Sequence, residues 1–341
     1  MKLLFDIGHP AHVHLLKNFI FYLKENHHNI YVASRDKDVT NSLLNHYGIK
    51  YDCLSQQSKT GLGLLAELAL RNYRILRMHR QMKFDAAFGT SVSIAHLSAI
   101  NGVPSYSLNE DDDDIVPFYA LLTYPFATSI LNPKCIRFKK WSKKRVLYPS
   151  YHELAYLHPN NFSPERGVLE KYSLKEKEYI LVRFSALEAH HDVGEDGISN
   201  PLWKKIQDIC SGYKIVQSFE NQLLHEIDSW DIHHLLAFAK MIISDSQTMA
   251  VEGAVLGVPT IRINTFVNRC SVLDELETKY QLTNGYHPNE EELAIKTISD
   301  VLNNGDVEEI WHHRRKKMLA EKVDYNEWLI DFFETEINVI K

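Results

Sequence analysis

Short apolar runs bounded by turn residues alternate along this chain with stretches in which apolar residues recur every three or four positions. The first run, residues 3–7, is broken by Gly8-His9-Pro10, and Val13, Leu16, Phe19, Ile20 and Leu23 then follow at helical spacing. The alternation continues with strands at 30–34, 51–54, 86–89 and 105–108. Between them lie a helix carrying Val39, Leu43 and Leu44 and a long helix through Leu64, Leu65, Leu68, Ile75 and Met78. The pattern resumes at residue 179. Strands are predicted at 179–184, 214–219, 241–244 and 259–263, and helices at 202–210, 232–239, 249–256 and 290–302. Gly257 and the Asn303-Asn304-Gly305 turn supply stop signals. Strands interleaved with helices predict parallel sheets covered on both faces, an α/β chain.

A chain of 341 residues exceeds what one core usually serves, so two domains are expected. Residues 134–178 are rich in charge, Pro, Tyr and His and poor in periodicity. The expected division is a Rossmann-like domain over 1–150, an interdomain region over 151–175 and a second Rossmann-like domain over 176–306. Helices over 307–341 follow, with packing back onto the first domain left open. The net charge of -6 excludes a chain that is basic throughout, as a dedicated nucleic-acid binder would be. The four cysteines are scattered without a CxxC, so neither a zinc site nor a disulfide framework is expected, and the usage suits a reducing, cytoplasmic setting. No apolar stretch near Met1 reads as a signal peptide. Residues 115–133 lack charge, but Pro117, Pro125 and their polar neighbours fit buried helix plus strand better than a membrane span.

Candidate chemistry gathers where strands end. Gly8, His9, His12 and His14 stand where the first strand meets the first helix, the end of a doubly wound sheet at which ligands bind. A helix start offers free N–H groups to an anion, and imidazoles there can donate to phosphate or act as a general base. Ser246, Gln247 and Thr248 open a helix after the strand at 241–244, with Glu252 one turn in. They are expected to surround a diphosphate, with Glu252 accepting from a ribose diol. Plain capping by Asp245 or Ser246 is compatible with that role. Arg183, His190 and His191 follow the strand at 179–184 and are candidates for phosphate contact or proton transfer.

Asn109-Glu110 opens an acidic run, Asp111 to Asp114, whose crowded carboxylates repel one another. Glu110 and Asp111, nearest the strand, are the acid/base candidates, and Asp113 and Asp114 read as solvated loop. Arg71, Arg74, Arg77 and Arg80 recur along the long helix, and Lys134 to Arg145 is a second basic cluster. Either suits anionic lipid headgroups, and a solvated charged face is the alternative.

Together, Asp6 through His14, Tyr124 through Ala127 with Asn132-Pro133, Tyr148 through Leu157, Arg183 through Gly197 and Ser244 through Pro259 resemble the DUF354 family. That family is similar to UDP-N-acetylglucosamine 2-epimerases and to GT-B glycosyltransferases. The resemblance implies two Rossmann-like domains facing a central cleft, with the nucleotide-sugar held by the second. It also implies that Glu252 holds the ribose and the Ser/Thr turn the diphosphate. The epimerases' Arg-Pro-Glu after the first strand's glycine is His9-Pro10-Ala11 here, and their His-Arg-Arg-Glu-Asn loop is Ala189-His190-His191-Asp192. A histidine after the first strand occupies the base position of inverting GT-B transferases. The expected activity is therefore sugar transfer from a nucleoside-diphosphate sugar, UDP-linked by preference, to a glycan or glycolipid of surface polysaccharide or glycoconjugate assembly. His12 or His14 would act as base, without cofactor or metal. The alternatives are an epimerase and a non-catalytic nucleotide-sugar-binding protein. Expected partners are the donor, the acceptor and, as an open reading, an anionic membrane surface at which a cytoplasmic enzyme sits peripherally. Nucleic acid is not expected.

Overall fold

The computed structural model describes residues 1–58, 60–137, 140–185, 197–219 and 227–337. The chain divides into two compact units, the first from Met1 to Tyr156 and again from Asp324 onward, the second Leu157–Val323.

In the first unit the elements run β1 (Lys2–Ile7), α1 (Pro10–Glu25), β2 (Asn29–Asp36), α2 (Thr40–His46), β3 (Asp52–Gln56), α3 (Gly61–Met82), β4 (Ala86–Gly89), α4 (Val92–Asn101), β5 (Ser105–Leu108), α5 (Pro117–Thr123), β6 (Ser129–Pro133) and β7 (Arg145–Tyr148), and the unit ends in the short α6 (Leu154–Leu157). The seven strands are ordered β3-β2-β1-β4-β5-β6-β7, all pairs parallel. Past Lys2, every β1 residue is buried, as a central parallel strand covered on both faces requires. In α1 the buried set includes Val13, Leu16, Phe19, Ile20 and Leu23, the stripe its spacing predicts. Strand order reverses between β1 and β4, so their carboxyl ends form a topological switch point. Gly89 closes β4 there. Its φ is +151°, and a Cβ would stand 2.5 Å from the Asp6 carbonyl oxygen, so a side chain would push β4 off β1.

The second unit carries α7 (Gly167–Lys171), β8 (Tyr179–Phe184), α8 (Asn200–Ile209), β9 (Lys214–Phe219), α9 (Ile232–Phe238), β10 (Met241–Ser244), α10 (Gln247–Leu256), β11 (Thr260–Ile263), α11 (Ser271–Thr278), β12 (Thr283–Tyr286), α12 (Glu291–Asn303) and α13 (Val307–Glu321). Its sheet, β12-β11-β10-β8-β9, is also wholly parallel and switches between β8 and β10. Helix α10 lies tight on it. A Cβ on Gly253 would come within 2.3 Å of Thr260 Oγ1 and 2.6 Å of Ile242 Cδ1.

The chain returns to the first unit with α14 (Tyr325–Phe332). Phe333 sets its ring edge on those of Phe19 and His28, and Phe332 does so on Tyr106. The stretch read as poor in periodicity supplies β7, which completes the first sheet. Helix α13 belongs with the second unit; only the segment from Asp324 returns.

Candidate functional site

At the switch point of the first unit, β1 ends at Ile7 and α1 begins at Pro10, a residue suited to a first helical turn. His9 is the cap, its Nδ1 accepting from the Ala11 N–H at 3.2 Å. His12 Nδ1 lies 3.4 Å from the Gly8 N–H, and the Thr90 hydroxyl, just past β4, is 2.6 Å from the same nitrogen. Burial, with the Lys37 charge behind it, pulls the His12 imidazole down to about 3, so the ring is neutral. His14 does not join this group. It points into the unit, 5% exposed, with its ring 5.3 Å from that of Tyr156 and 5.9 Å from that of Tyr47. Two residues along a helix turn a side chain to a different face, which separates His14 from His12.

Below the switch point lies a buried ionic frame. Asp6, with no exposed surface, is bonded to Arg71 and to the Ser91 hydroxyl. Arg71 also donates to the Ser34 carbonyl at 3.0 Å and to Ser55 Oγ at 2.9 Å. Arg35 grips Glu67 through two bonds of 2.6 and 2.8 Å. Arg71 is thus a strand brace and not part of a basic surface, and Arg74 is bonded to the Leu54 carbonyl. Among the arginines read as one stripe, Arg74, Arg77 and Arg80 keep the solvent-facing position expected of all four.

The acidic run after β5 is not a uniform solvated loop. Asp112 is 1% exposed and accepts from the Arg137 N–H at 2.8 Å; Asp113, also buried, accepts from the Lys140 N–H. Backbone donors of the chain after β6 hold both, which corrects the reading of Asp113 as solvated. Asp111 and Asp114 are exposed. Glu110 is set apart. The His152 N–H donates to its Oε2 at 2.8 Å, and His152 Nδ1 lies 3.8 Å from the same oxygen. Burial pushes the Glu110 carboxyl up to about 7. The His152 N–H and the Glu153 side chain, both hydrogen-bonded to it, oppose that rise, and the Asp111 charge adds to it. His152 itself is pulled down to about 3, by burial first and by His12 second, so His12, Glu110 and His152 share one neighbourhood. The sequence reading missed His152 and Glu153. Their signal was position: they follow β7, a strand hidden in a stretch read as poor in periodicity.

The second unit's switch point has different contents. Ser246 caps α10, its hydroxyl facing the Met249 N–H, while its own N–H donates to Ser244 Oγ at 2.9 Å. Gln247 opens the helix and accepts from the Cys270 thiol, and Thr248 follows, half-buried. Asp245 is buried; it accepts from the Ser185 N–H at 2.5 Å, and burial raises its carboxyl. Arg183, at the end of β8, donates to Ser218 Oγ at 2.6 Å and to the Phe219 carbonyl at 3.3 Å. Glu252 is 6% exposed, and its Oε1 pairs with His233 Nε2 at 2.9 Å. His233, on α9, was also missed, because an otherwise apolar helix face hid it. His190 and His191 lie outside the described residues. Among the described residues no group of three or more His, Cys, Asp or Glu is arranged to hold a metal ion, and no helix is long and apolar enough to cross a membrane.

Solved structures share this architecture over nearly the whole chain. The Staphylococcus aureus MnaA–UDP co-structure matches with a TM-score of 0.71 at 13% identity, covering 99% of this chain and 97% of the other. The UDP-GlcNAc 2-epimerase of Neisseria meningitidis bound to UDP-GlcNAc matches at 0.63 and 12%, covering 97% and 98%. The spinosyn rhamnosyltransferase SpnG, complexed with spinosyn aglycone, matches at 0.60 and 12%, covering 98% and 100%. At such identities the likeness is one of fold, and the fold is GT-B-like. No curated protein sequence matches the chain. The family model described as "Protein of unknown function (DUF354)" matches residues 1–272.

Proposed function

We propose that this chain, which belongs to the DUF354 family, is a GT-B glycosyltransferase that takes its sugar from a nucleoside-diphosphate donor. The observation that carries the reading is Glu110, just past the carboxyl end of the interior strand β5, held by the His152 N–H and poised near neutrality. A general base works best when its pKa lies near the operating pH. His12, held neutral and near 3, is a weak base, so the base role expected of the histidine loop passes to Glu110, and His12 serves as a hydrogen-bonding wall. His14, turned into the unit, takes no part.

The second unit supplies the donor site. The N–H groups at the start of α10 and the positive end of the helix receive the diphosphate. Ser246, Gln247 and Thr248 add donors, Arg183 adds charge, and Glu252 takes the ribose. UDP is the preferred nucleotide, since structural neighbours of the same fold carry UDP or UDP-GlcNAc. The reaction removes the proton of an acceptor hydroxyl, joins its oxygen to the anomeric carbon and releases the nucleoside diphosphate with the bonding electrons. The acceptor is a glycan or glycolipid.

A second reading, epimerisation at the sugar C2, is favoured by one observation. Glu110 and Glu153 are hydrogen-bonded carboxyls, and such a pair can hold and return a proton. Incubation with UDP-N-acetylglucosamine in deuterium oxide separates the two. Donor consumption only when an acceptor is added supports transfer, and deuterium at C2 without acceptor supports epimerisation. Failure of UDP and of every UDP-sugar to bind in calorimetry would sink both. Transfer is expected to survive EDTA, because α10 and Arg183 already supply the positive field at the leaving group.

A further inference from the structure

Helix α3 turns its leucines outward. Its buried stripe is Glu67, Arg71 and Ile75, whereas Leu62, Leu65, Leu70 and Tyr73 are exposed, Leu62 by 84%. A surface helix ordinarily does the reverse. The ionic frame accounts for the inversion. Glu67 and Arg71 must face inward to hold Arg35 and Asp6, and residues three or four apart from Leu62 onward then fall on the opposite side. The neighbouring helices continue this surface. Asn72 Nδ2 on α3 lies 2.8 Å from His96 Nδ1 on α4, and the other nitrogen of that ring lies 3.1 Å from the Leu122 carbonyl oxygen of α5, so the three helices stand side by side. Ile75 of α3 and Ile94 and Leu97 of α4 enter one core cluster with Leu4 and Ala87 of the sheet. On the outside, Phe118 and Leu121 of α5 are exposed as well. Of the twelve large apolar side chains exposed among the described residues, eight lie on α3, α4, α5 or the turn after α5, so the exposed apolar surface is gathered in one place and not scattered.

Charge is sorted along the same stripe. Arg77 and Arg80 follow Tyr73 at helical spacing and are exposed, with Arg74 beside them. Glu67 is the only acid in the three helices, and it is turned inward onto Arg35. Asp111 and Asp114, exposed ahead of α5, bound the face on that side. We propose that the outer face of α3, α4 and α5 is a docking surface for an anionic lipid bilayer. The leucines and Tyr73 enter the boundary between headgroups and acyl chains, and the arginines meet the lipid phosphates and carboxylates. Helix α3 lies on the bilayer and does not cross it, because four arginines punctuate it and no described helix is long and apolar enough to span. The whole chain carries a net charge of -6, so an anionic surface repels it at large, and attraction at this one face also orients the molecule. A second copy of the chain is the poorer occupant, since the three helices offer no exposed acid to pair with a partner's arginines. The inference stands apart from the transfer reading, because lipid binding needs neither donor nor acceptor.

Flotation of the whole protein with lipid vesicles tests the surface. Vesicles of phosphatidylcholine with about one-third phosphatidylserine are expected to carry the protein up a density gradient, and vesicles of phosphatidylcholine alone to carry far less. Arg77→Gln with Arg80→Gln is expected to weaken that binding about 25-fold, near fivefold for each charge at an anionic surface. Leu62→Ser with Leu65→Ser, both at exposed positions, is expected to weaken it at least about tenfold while the melting temperature holds. Lys204→Gln with Lys316→Gln makes an equal charge change at exposed positions of the second unit and is expected to leave binding as it was. Failure of the parent to float with anionic vesicles overturns the proposal. So does undiminished binding in the arginine and leucine variants, or equal weakening by the second-unit pair, which would reduce the attraction to bulk charge. A dimer in analytical ultracentrifugation that the leucine variant dissolves gives the face to a second copy and overturns it too. Should the leucine variant fail to fold, the arginine pair decides. UDP binding by the parent, present or absent, has no bearing on any of these outcomes, so the donor reading and the lipid surface fail separately.

Discussion

The two switch points share a topology and differ in what fills them. In the first unit, the ends of β1, β4, β5 and β7 bring together the Thr90 hydroxyl with His12, Glu110 and His152, three groups that burial has moved away from their usual protonation. In the second, the ends of β8 and β10 bring together a capped helix start, an arginine and hydroxyl side chains. The supports differ too. A buried ionic frame, Asp6–Arg71 and Arg35–Glu67, holds the first, whereas backbone N–H groups and side-chain amides hold the second. One site is therefore built to move protons and the other to hold an anion. The same crossover rule selects the place in each sheet but leaves the chemistry free.

The contrast is broken most directly at Glu110. Glu110→Gln is expected to lower turnover by about 10²–10⁴ while UDP affinity holds. In the parent, kcat/KM should rise with pH until about 7 and then level, because only the ionised carboxylate accepts the proton. The variant should lose that limb. A variant that keeps both rate and limb would move the proton chemistry out of the first unit.

Arg71→Ala tests the frame. Removing one partner of a buried pair leaves Asp6 charged and unmatched, at a cost of about 3–5 kcal/mol. Urea unfolding should show that loss in the transition that carries the first unit. A loss under about 1 kcal/mol, the range of surface pairs, would mean that water reaches Asp6.

Glu252→Ala should weaken UDP binding at least about tenfold, since 1.4 kcal/mol is a factor of ten. Calorimetry on the parent, on this variant and on His233→Ala separates direct contact from orientation. Loss in both variants makes the buried pair the ribose acceptor. Unchanged affinity in Glu252→Ala removes the second unit's assigned role.

The last test is of stability against pH. His12 and His152 ionise at about 3 when folded against 6.5 as free groups, so the unfolded chain binds more protons between those values. Stability should fall as pH drops through that window. Glu110, raised from 4.5 to about 7, has the opposite slope between those limits. Two imidazoles outweigh one carboxyl where the windows overlap, so the net loss is toward acid. His152→Gln should flatten the melting temperature below pH 6.5. An unchanged slope would mean that His152 titrates normally.

Much of this was legible in the chain. Strands β4, β5, β8 and β10 fall where short runs end in turn residues, because a parallel strand inside a covered sheet is buried. Strands β7 and β12 were not legible. Arg145 opens the first, and the second reads Thr-Asn-Gly-Tyr; both are edge strands, which need only one partner and tolerate polar residues. His9, His12, Glu110 and Ser246 stood out because strand ends are where ligands bind. His152 and His233 did not, since each takes its meaning from a carboxylate 42 or 19 residues away. Arg71 was misplaced for the same reason: its partner Asp6 is 65 residues distant.

The second unit is inserted in the chain of the first, and this orders events during synthesis. Phe19 on α1 and Phe88 on β4, packed edge to face, wait for Phe333 to cover them. At about 5–20 residues per second, the intervening unit delays that cover by roughly ten to thirty seconds. Over that interval the second unit can fold alone, while the first exposes an aromatic seam. The nascent protein is therefore expected to be a client of chaperones that shield apolar surface, released when the returning helix docks.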